Sequence, residues 1–353
     1  MSLRPTTDVA LQALMLPFVT EALAWPGSGA LFLHARDGWP LHARATPGLV
    51  VEQGFKPEAD ALERAGFVPS TDPSKLYPLV LLLPPRQREE LRALFAQALD
   101  RCEEGGVVLA SVANDAGAKS AEADLRRLAG LDGSLSKHHC RVFWTRKQTG
   151  RIDADLLAQW RTLDAPRRIA APQLPQGGFL SRPGVFAWDR IDPASALLAA
   201  QLPADLEGHG ADLGAGWGYL AIELLRRNPR VQALDLYEAQ ARALELARTN
   251  LADTGTSATL EFLWHDVTAG LARRYDFIVT NPPFHAHDRA DRPELGQRFI
   301  EVAAQALRPG GRLFLVANRH LPYEHALSAH FAQIRVLAQQ GGFKAIEALR
   351  SMR

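Results

Sequence analysis

The sequence predicts an α/β protein of two tandem domains, each built on a mostly parallel sheet covered by helices. Three observations carry this: strand-like apolar runs alternate with helical patterns along the whole chain, the chain is too long for one core, and its halves repeat a short pattern in the same order. With 353 residues, it exceeds the size at which a single core stops growing, so two domains of roughly 150 to 200 residues are expected. Apolar residues make up 47% of the chain, enough to fill both.

In the first half the strand candidates are Ala30–His34, Tyr77–Leu83, Val107–Ala113 and Arg141–Thr145, with helical patterns over Arg88–Glu104 and Lys119–Gly130. The stretch Lys147–Pro183 then turns rich in Arg, Pro and Gly, the composition of a connection between domains. This places a first domain at 1–150, a basic linker at 151–183 and a second domain at 184–353. Strands of the second domain are expected at Gly210–Leu213, Val231–Tyr237, Thr259–Trp264, Phe277–Thr280 and Arg312–Ala317. A last antiparallel pair is expected near Ile334–Leu337 and Phe343–Leu349, a common edge on such sheets.

The repeat is visible without gaps. Tyr77 to Pro85, YPLVLLLPP, aligns with Tyr275 to Pro283, YDFIVTNPP. Each is followed by a helical stretch and then by a glycine pair, Gly105-Gly106 or Gly310-Gly311, that leads into another strand. Three matches in one order favour two copies of one fold over generic loop chemistry.

Charged residues are 22% of the chain and nearly cancel, to +1. That balance excludes a disordered chain and a protein that coats a polyanion over its whole surface. Nucleic-acid contact therefore requires a local basic patch. Cys102 and Cys140 lack the number and spacing of a disulfide framework or a zinc site, and read as reduced thiols in a cytoplasmic protein. The N-terminal segment reads as an amphipathic helix more than as a signal peptide, and no run approaches the ~18 apolar residues of a membrane span.

The chemistry concentrates in the second half. Asp212 ends a strand and is followed by Gly214, Gly216 and Gly218 and then a helix, a turn in which bare backbone can approach a ligand. An acid at the end of the next strand can take ribose hydroxyls. Glu238 is the better placed candidate, because Asp235 lies inside the strand, where it reads as a structural carboxylate. After the third strand, Asp266 can accept from an adenine amino group and the backbone N–H of Val267 can donate to the ring. His265 beside them has no second ligand at a suitable spacing, so no metal is expected.

Asn281-Pro282-Pro283-Phe284, after the fourth strand, is the sharpest signal. An amino group conjugated to a planar ring is a poor nucleophile, because its lone pair is delocalised. The Asn281 side-chain oxygen and the Pro282 carbonyl can accept its two hydrogens, aligning the nitrogen with an electrophilic methyl group and stabilising the charge it acquires. The prolines stiffen the loop, and Phe284 offers a flat face for a base.

These residues resemble a class I methyltransferase and, within that class, the bacterial ribosomal RNA small subunit methyltransferase C family, specific for guanine N2, with the large-subunit guanine-N2 enzyme as its sister. The likeness extends to PGVFAWDRIDPASALL (Pro183–Leu198), VANRHLPY (Val316–Tyr323) and GGFKAIEA (Gly341–Ala348), and in the first half to VANDAGAKSAEADL (Val112–Leu125) and, more loosely, SKHHCRVFWTR (Ser136–Arg146). It implies two methyltransferase-like, Rossmann-type domains, of which only the second binds S-adenosylmethionine, through Asp212, the three glycines, Glu238, Asp266, Val267 and Asn281.

The first copy is then degenerate, with Leu83 in the place of Asn281. The implied substrate is a guanine in 16S ribosomal RNA, free or in the assembling small subunit, and the implied state is a monomer. Arg146, Lys147, Arg151, Arg167, Arg168 and Arg182 are candidate phosphate contacts. Competing readings are a guanine-N2 enzyme for 23S RNA, a DNA adenine or protein glutamine methyltransferase, which more often carries Tyr after the two prolines, and a non-catalytic assembly factor.

Overall fold

The computed structural model describes residues 8–43, 45–172, 174, 177–252, 254–283, 293–320 and 323–352. The chain forms two compact units, Met1–Ala165 and Pro166–Arg353.

The sheet of the first unit contains β1 (Ala30–Leu33), β2 (Leu49–Glu52), β3 (Val68–Pro69), β4 (Tyr77–Leu82), β5 (Cys102–Ala113), β6 (Gly133–Lys137) and β7 (Cys140–Arg146). Their order is β3-β2-β1-β4-β5-β7-β6. In the second unit a hairpin of β8 (Arg167–Ala170) and β9 (Gly178–Ser181) precedes β10 (Gly208–Leu213), β11 (Val231–Glu238), β12 (Thr259–Trp264), β13 (Tyr275–Thr280), β14 (Leu307–Asn318), β15 (Gln333–Gln340) and β16 (Phe343–Leu349). The seven-stranded order there is β12-β11-β10-β13-β14-β16-β15. The two sheets thus have one topology, parallel except for the last hairpin, which runs antiparallel in both.

The duplication reaches local detail. The pairing of β4 with β5 slips between Tyr77 and Leu79, and that of β13 with β14 slips between Tyr275 and Phe277. These are equivalent positions of the repeat, so the same irregularity is kept in both copies. The strands β2, β3 and β6 are absent from the sequence reading. Two-residue β3 is too short for any period, and β6, GSLSK, has Leu135 as its single apolar residue.

Parallel strands buried on both faces need apolar residues at successive positions. Along β13, Phe277 and Val279 join one core with Leu234, Leu236, Phe314 and Val316, while Tyr275 and Ile278 join the opposite core with Leu213, Leu313 and Leu315. The stretch expected to be a linker over 151–183 carries regular structure. Helix Ala154–Arg161 closes the first unit with Trp160 buried, and the β8–β9 hairpin opens the second. Its Pro and Gly mark turns, and the division between the units at Ala165 and Pro166 falls within it, while Ala171, Leu174 and Phe179 find core partners.

Both cysteines are buried and unpaired by any disulfide. Burial pushes their thiols up, Cys102 to about 12 and Cys140 to about 11, which leaves them as packing groups. Among the described residues no helix is long and apolar enough to cross a membrane.

Asp235 belongs to the framework. It is 1% exposed and accepts from His209 Nε2 at 3.0 Å, Arg273 Nη1 at 2.9 Å and the Tyr275 hydroxyl at 2.7 Å. Tyr237 and Tyr275 join their hydroxyls at 2.6 Å. Asp235→Ala takes a partner from the buried Tyr275 hydroxyl, and should cost roughly 1–3 kcal/mol. Glu261→Ala, which removes a half-exposed partner of the same Arg273, should change stability by at most about 1 kcal/mol. Urea unfolding of the two variants measures the contrast, and equal losses would contradict the structural role of Asp235.

Candidate active site

β10 lies between β11 and β13, and Leu213 at its end is in register with Tyr237 on one side and Thr280 on the other. Gly214, Glu238 and Asn281 therefore leave the sheet side by side. The Thr280 hydroxyl donates to the Leu213 carbonyl at 2.7 Å and pins two of these ends together. Strand order reverses here, since β11 and β12 lie on one side of β10 and β13 and β14 on the other. That is the position at which open α/β sheets form a ligand crevice.

The glycine turn is held from beneath, where the N–H groups of Gly214 and Ala215 donate to the Tyr237 carbonyl at 2.9 and 3.0 Å. Gly214, Gly216 and Gly218 have φ of +77°, +55° and +97°, values that favour glycine. A Cβ on Gly216 would meet nothing within 4 Å, so that stretch of backbone faces open space. A Cβ on Gly218 would press on Leu251 at 3.1 Å, so this last glycine serves helix packing. Trp217 of the turn stacks on Phe179 of β9, with ring centroids 3.8 Å apart and planes 2° from parallel. The Asn250 amide ties the same two elements, donating to the Trp217 and Leu180 carbonyls and accepting from the Leu180 N–H. Neither contact was foreseen from sequence.

Glu238 stands against the turn. Its Oε2 accepts from Gly216 N–H at 2.8 Å and its Oε1 from Gln240 N–H at 2.7 Å, leaving further lone pairs on each oxygen. Burial raises its pKa against the pull of these hydrogen bonds. Asp212 is fully buried and neither carboxyl oxygen has a hydrogen-bond partner. Burial first, then the charge of Glu238, push it up to about 8. An orphaned acid beneath an open glycine turn, with a second acid at the turn's edge, fits a cationic ligand that carries hydroxyl groups. Asp266 is partly committed, since its Oδ1 accepts from the N–H and hydroxyl of Thr268 at 2.9 and 2.7 Å. Val267 is buried behind it. His265 gives its Nε2 to the Gly270 carbonyl at 2.7 Å, a packing role.

Asn281 holds its side chain in a defined direction. Its Nδ2 donates to Asp192 Oδ2 at 3.1 Å and to Ser195 Oγ at 2.9 Å. Asp192 and Ser195 belong to helix Pro193–Gln201 and its N-cap, about ninety residues away in sequence, and sequence reasoning missed both. Pro282 is buried beneath the loop. Phe284 lies outside the described residues. Of the candidate phosphate contacts, Lys147 donates to the Cys102 carbonyl at 2.8 Å and Arg151 pairs with Asp132 at 2.9 Å, so both serve the fold.

The first unit shows what the same frame looks like without these groups. Leu33 pairs with Glu52 and Leu82 as Leu213 pairs with Tyr237 and Thr280. Phe32 therefore stands in place of Asp212, His34 in place of Gly214, Gln53 in place of Glu238 and Leu83 in place of Asn281. Gln53 accepts from Phe55 N–H two residues on, as Glu238 accepts from Gln240, but its amide donates to the Ala35 carbonyl where Glu238 accepts from Gly216.

Comparison with known proteins places the chain in a family. Residues 176–347 match the family model of the methyltransferase small domain. The ribosomal RNA small subunit methyltransferase C of Pseudomonas aeruginosa strain UCBPP-PA14 is 32% identical over 317 residues, covering 89% of each chain. The chain belongs to the ribosomal RNA small subunit methyltransferase C family. The protein of the same name from P. aeruginosa strain LESB58 is 36% identical over 216 residues, 61% of this chain and 62% of that one. The solved T. thermophilus 16S rRNA N2 G1207 methyltransferase, in complex with AdoMet and guanosine, shares the fold with a TM-score of 0.81 at 24% identity, over 98% of this chain and 93% of that one. In this methyltransferase C family member the tandem α/β architecture is therefore the family's own.

The buried Asp212 gives a pH test. Folded, the carboxyl keeps its proton up to about 8, whereas its ordinary value is 3.8. Between those values the folded state binds more protons than the unfolded one, so stability falls as pH rises through the window and levels off above it. Asp212→Asn removes this dependence. The melting temperature of the unaltered chain, measured relative to Asp212→Asn, should drop between about pH 5 and about pH 8. A pH-independent difference would mean that Asp212 is ionised in the fold.

Proposed function

We propose that the second unit transfers a methyl group from S-adenosylmethionine to the exocyclic N2 of a guanine in 16S ribosomal RNA. The observation that carries this is the Asn281 amide, tied down at its nitrogen end and placed beside an open glycine turn, so that its oxygen is the end left to receive an amino group. The names of the relatives favour 16S over 23S RNA, and RNA over DNA or protein. S-adenosylmethionine, when bound, supplies a methyl group on a positively charged sulfur.

Residues of the chain do the rest. Glu238 takes the ribose hydroxyls on its remaining lone pairs, the bare backbone of Gly214 to Gly216 lets the ligand approach, and the ionisable Asp212 below answers its positive charge. Asp266 keeps its second oxygen for the adenine amino group, and the Val267 N–H faces the ring. Asn281 Oδ1 and the Pro282 carbonyl accept the two N2 hydrogens and strengthen as the nitrogen becomes positive. As the nitrogen gains its bond to the methyl carbon, the carbon–sulfur bond would break with its electron pair left on sulfur, and the nitrogen then loses a proton to water, so no strong base is needed.

A guanine inside a duplex is out of reach, so the base must be unpaired or flipped at a cost of a few kcal/mol. Stacking on Phe284 offsets part of that cost. The first unit, with Phe32, Gln53 and Leu83 at the equivalent places, binds no cofactor and helps to hold RNA. The chain acts as a monomer in the cytoplasm.

Asn281→Ala should slow methyl transfer by ~10²–10³ in single-turnover assays with labelled cofactor, the range for losing one preorganised partner of a transition state. Cofactor affinity should stay. Glu238→Ala should do the reverse, weakening cofactor binding by roughly 1.5–3 kcal/mol in calorimetry. The same titration of the unaltered chain should give one site per chain. Normal turnover by Asn281→Ala, or two sites, would contradict the proposal.

A further inference from the structure

We infer that Asp192 and Ser195 are positioning residues that set which end of the Asn281 amide faces the substrate. This rests on the reading of Asn281 as acceptor for the amino nitrogen. The two ends of an Asn side chain have nearly the same shape and opposite hydrogen-bonding character, and a half-turn about the last torsion exchanges them. With the oxygen facing the substrate, the loop accepts both amino hydrogens. With the NH2 facing it, donor meets donor.

Backbone geometry alone does not choose between these states. The choice comes from the partners, because a carboxylate only accepts. Asp192 Oδ2 at 3.1 Å and Ser195 Oγ at 2.9 Å take the two Nδ2 hydrogens. In the reversed amide, Oδ1 would face a carboxylate oxygen with no proton between them, and that oxygen would lose a partner it has here.

Asp192 is itself held. It caps helix Pro193–Gln201, its Oδ2 accepting from Ser195 N–H at 2.8 Å, and its carbonyl accepts from Ala196 N–H at 2.9 Å. Leu198 and Ala199 anchor that helix in the core. Ser195, 7% exposed, is buried at the contact. The direction of the amide is thus locked to a core helix by one oxygen that serves as both helix cap and amide acceptor.

Capping and orienting can be separated. Asp192→Ser keeps an N-cap oxygen, since serine caps as well as aspartate, but is a carbon shorter on the side facing Asn281. Asp192→Asn keeps an acceptor oxygen at full reach. We expect Asp192→Ser combined with Ser195→Ala to lower the single-turnover rate by about tenfold or more, within the range for coupled neighbours. Cofactor affinity and the KM for ribosomal RNA should be unchanged, and Asp192→Asn should retain most of the rate.

The deciding comparison repeats the double substitution in the Asn281→Ala background, where it should change the residual rate by no more than about twofold, because nothing remains to orient. Equal losses in both backgrounds, or no loss in the native one, would overturn the inference. Normal turnover by Asn281→Ala alone would instead bring down the reading on which it rests, an outcome distinct from the other two.

Discussion

The parallel pairing of β10 with β13 fixes everything else at the site. Because Leu213 and Thr280 are in register, and the Thr280 hydroxyl is bonded to the Leu213 carbonyl, the glycine turn and the Asn-Pro-Pro loop emerge beside each other although 67 residues separate them. A slip of one residue would turn each side chain to the other face of the sheet. The cores on both faces forbid that slip, since Phe277 and Val279 fill one and Ile278 the other. The chemistry is therefore placed by hydrophobic packing, and a few polar contacts refine it.

Those polar contacts form a hierarchy. The Tyr237 carbonyl holds the first two N–H groups of the turn, Glu238 holds the third, and the Trp217 ring is pressed on Phe179. Together these contacts hold a turn whose backbone faces open space at Gly216. Asp212 is the exception, buried without a partner at a cost to the fold. A group kept at such a cost belongs with function more than with stability. The duplicate copy agrees with this, because freed of the requirement it carries Phe32 at that place, fully buried among apolar neighbours.

What the sequence revealed and what it hid differ in range. The buried strands announced themselves as apolar runs, and the repeat was legible because it aligns without gaps. Glu238 could be preferred to Asp235 from its place at the strand end, and the hydrogen bonds of both fit that distinction. Asp192 and Ser195 lie in the stretch Pro183–Leu198 that carries the family likeness, but nothing in the sequence joins them to Asn281, or Asn250 to Leu180, because these partners lie 89, 86 and 70 residues away. The β8–β9 hairpin was hidden for a related reason. Its composition is that of a loop, and only the Trp217 ring and the core beneath Leu174 and Phe179 make it structure. Gln53 became meaningful only once the register of β1 and β2 set it opposite Glu238 in the other copy.

We propose that this geometry serves the N2 of a guanine in 16S RNA. Its most direct test is mass-spectrometric mapping of modified nucleosides in ribosomal RNA from a strain lacking the gene, with the gene or its Asn281→Ala form restored. One N2-methylguanosine in 16S RNA is expected to be lost on deletion, to return with the native gene and to stay absent with the variant. An unchanged 16S RNA, with the loss appearing in 23S RNA or in no RNA at all, would contradict it.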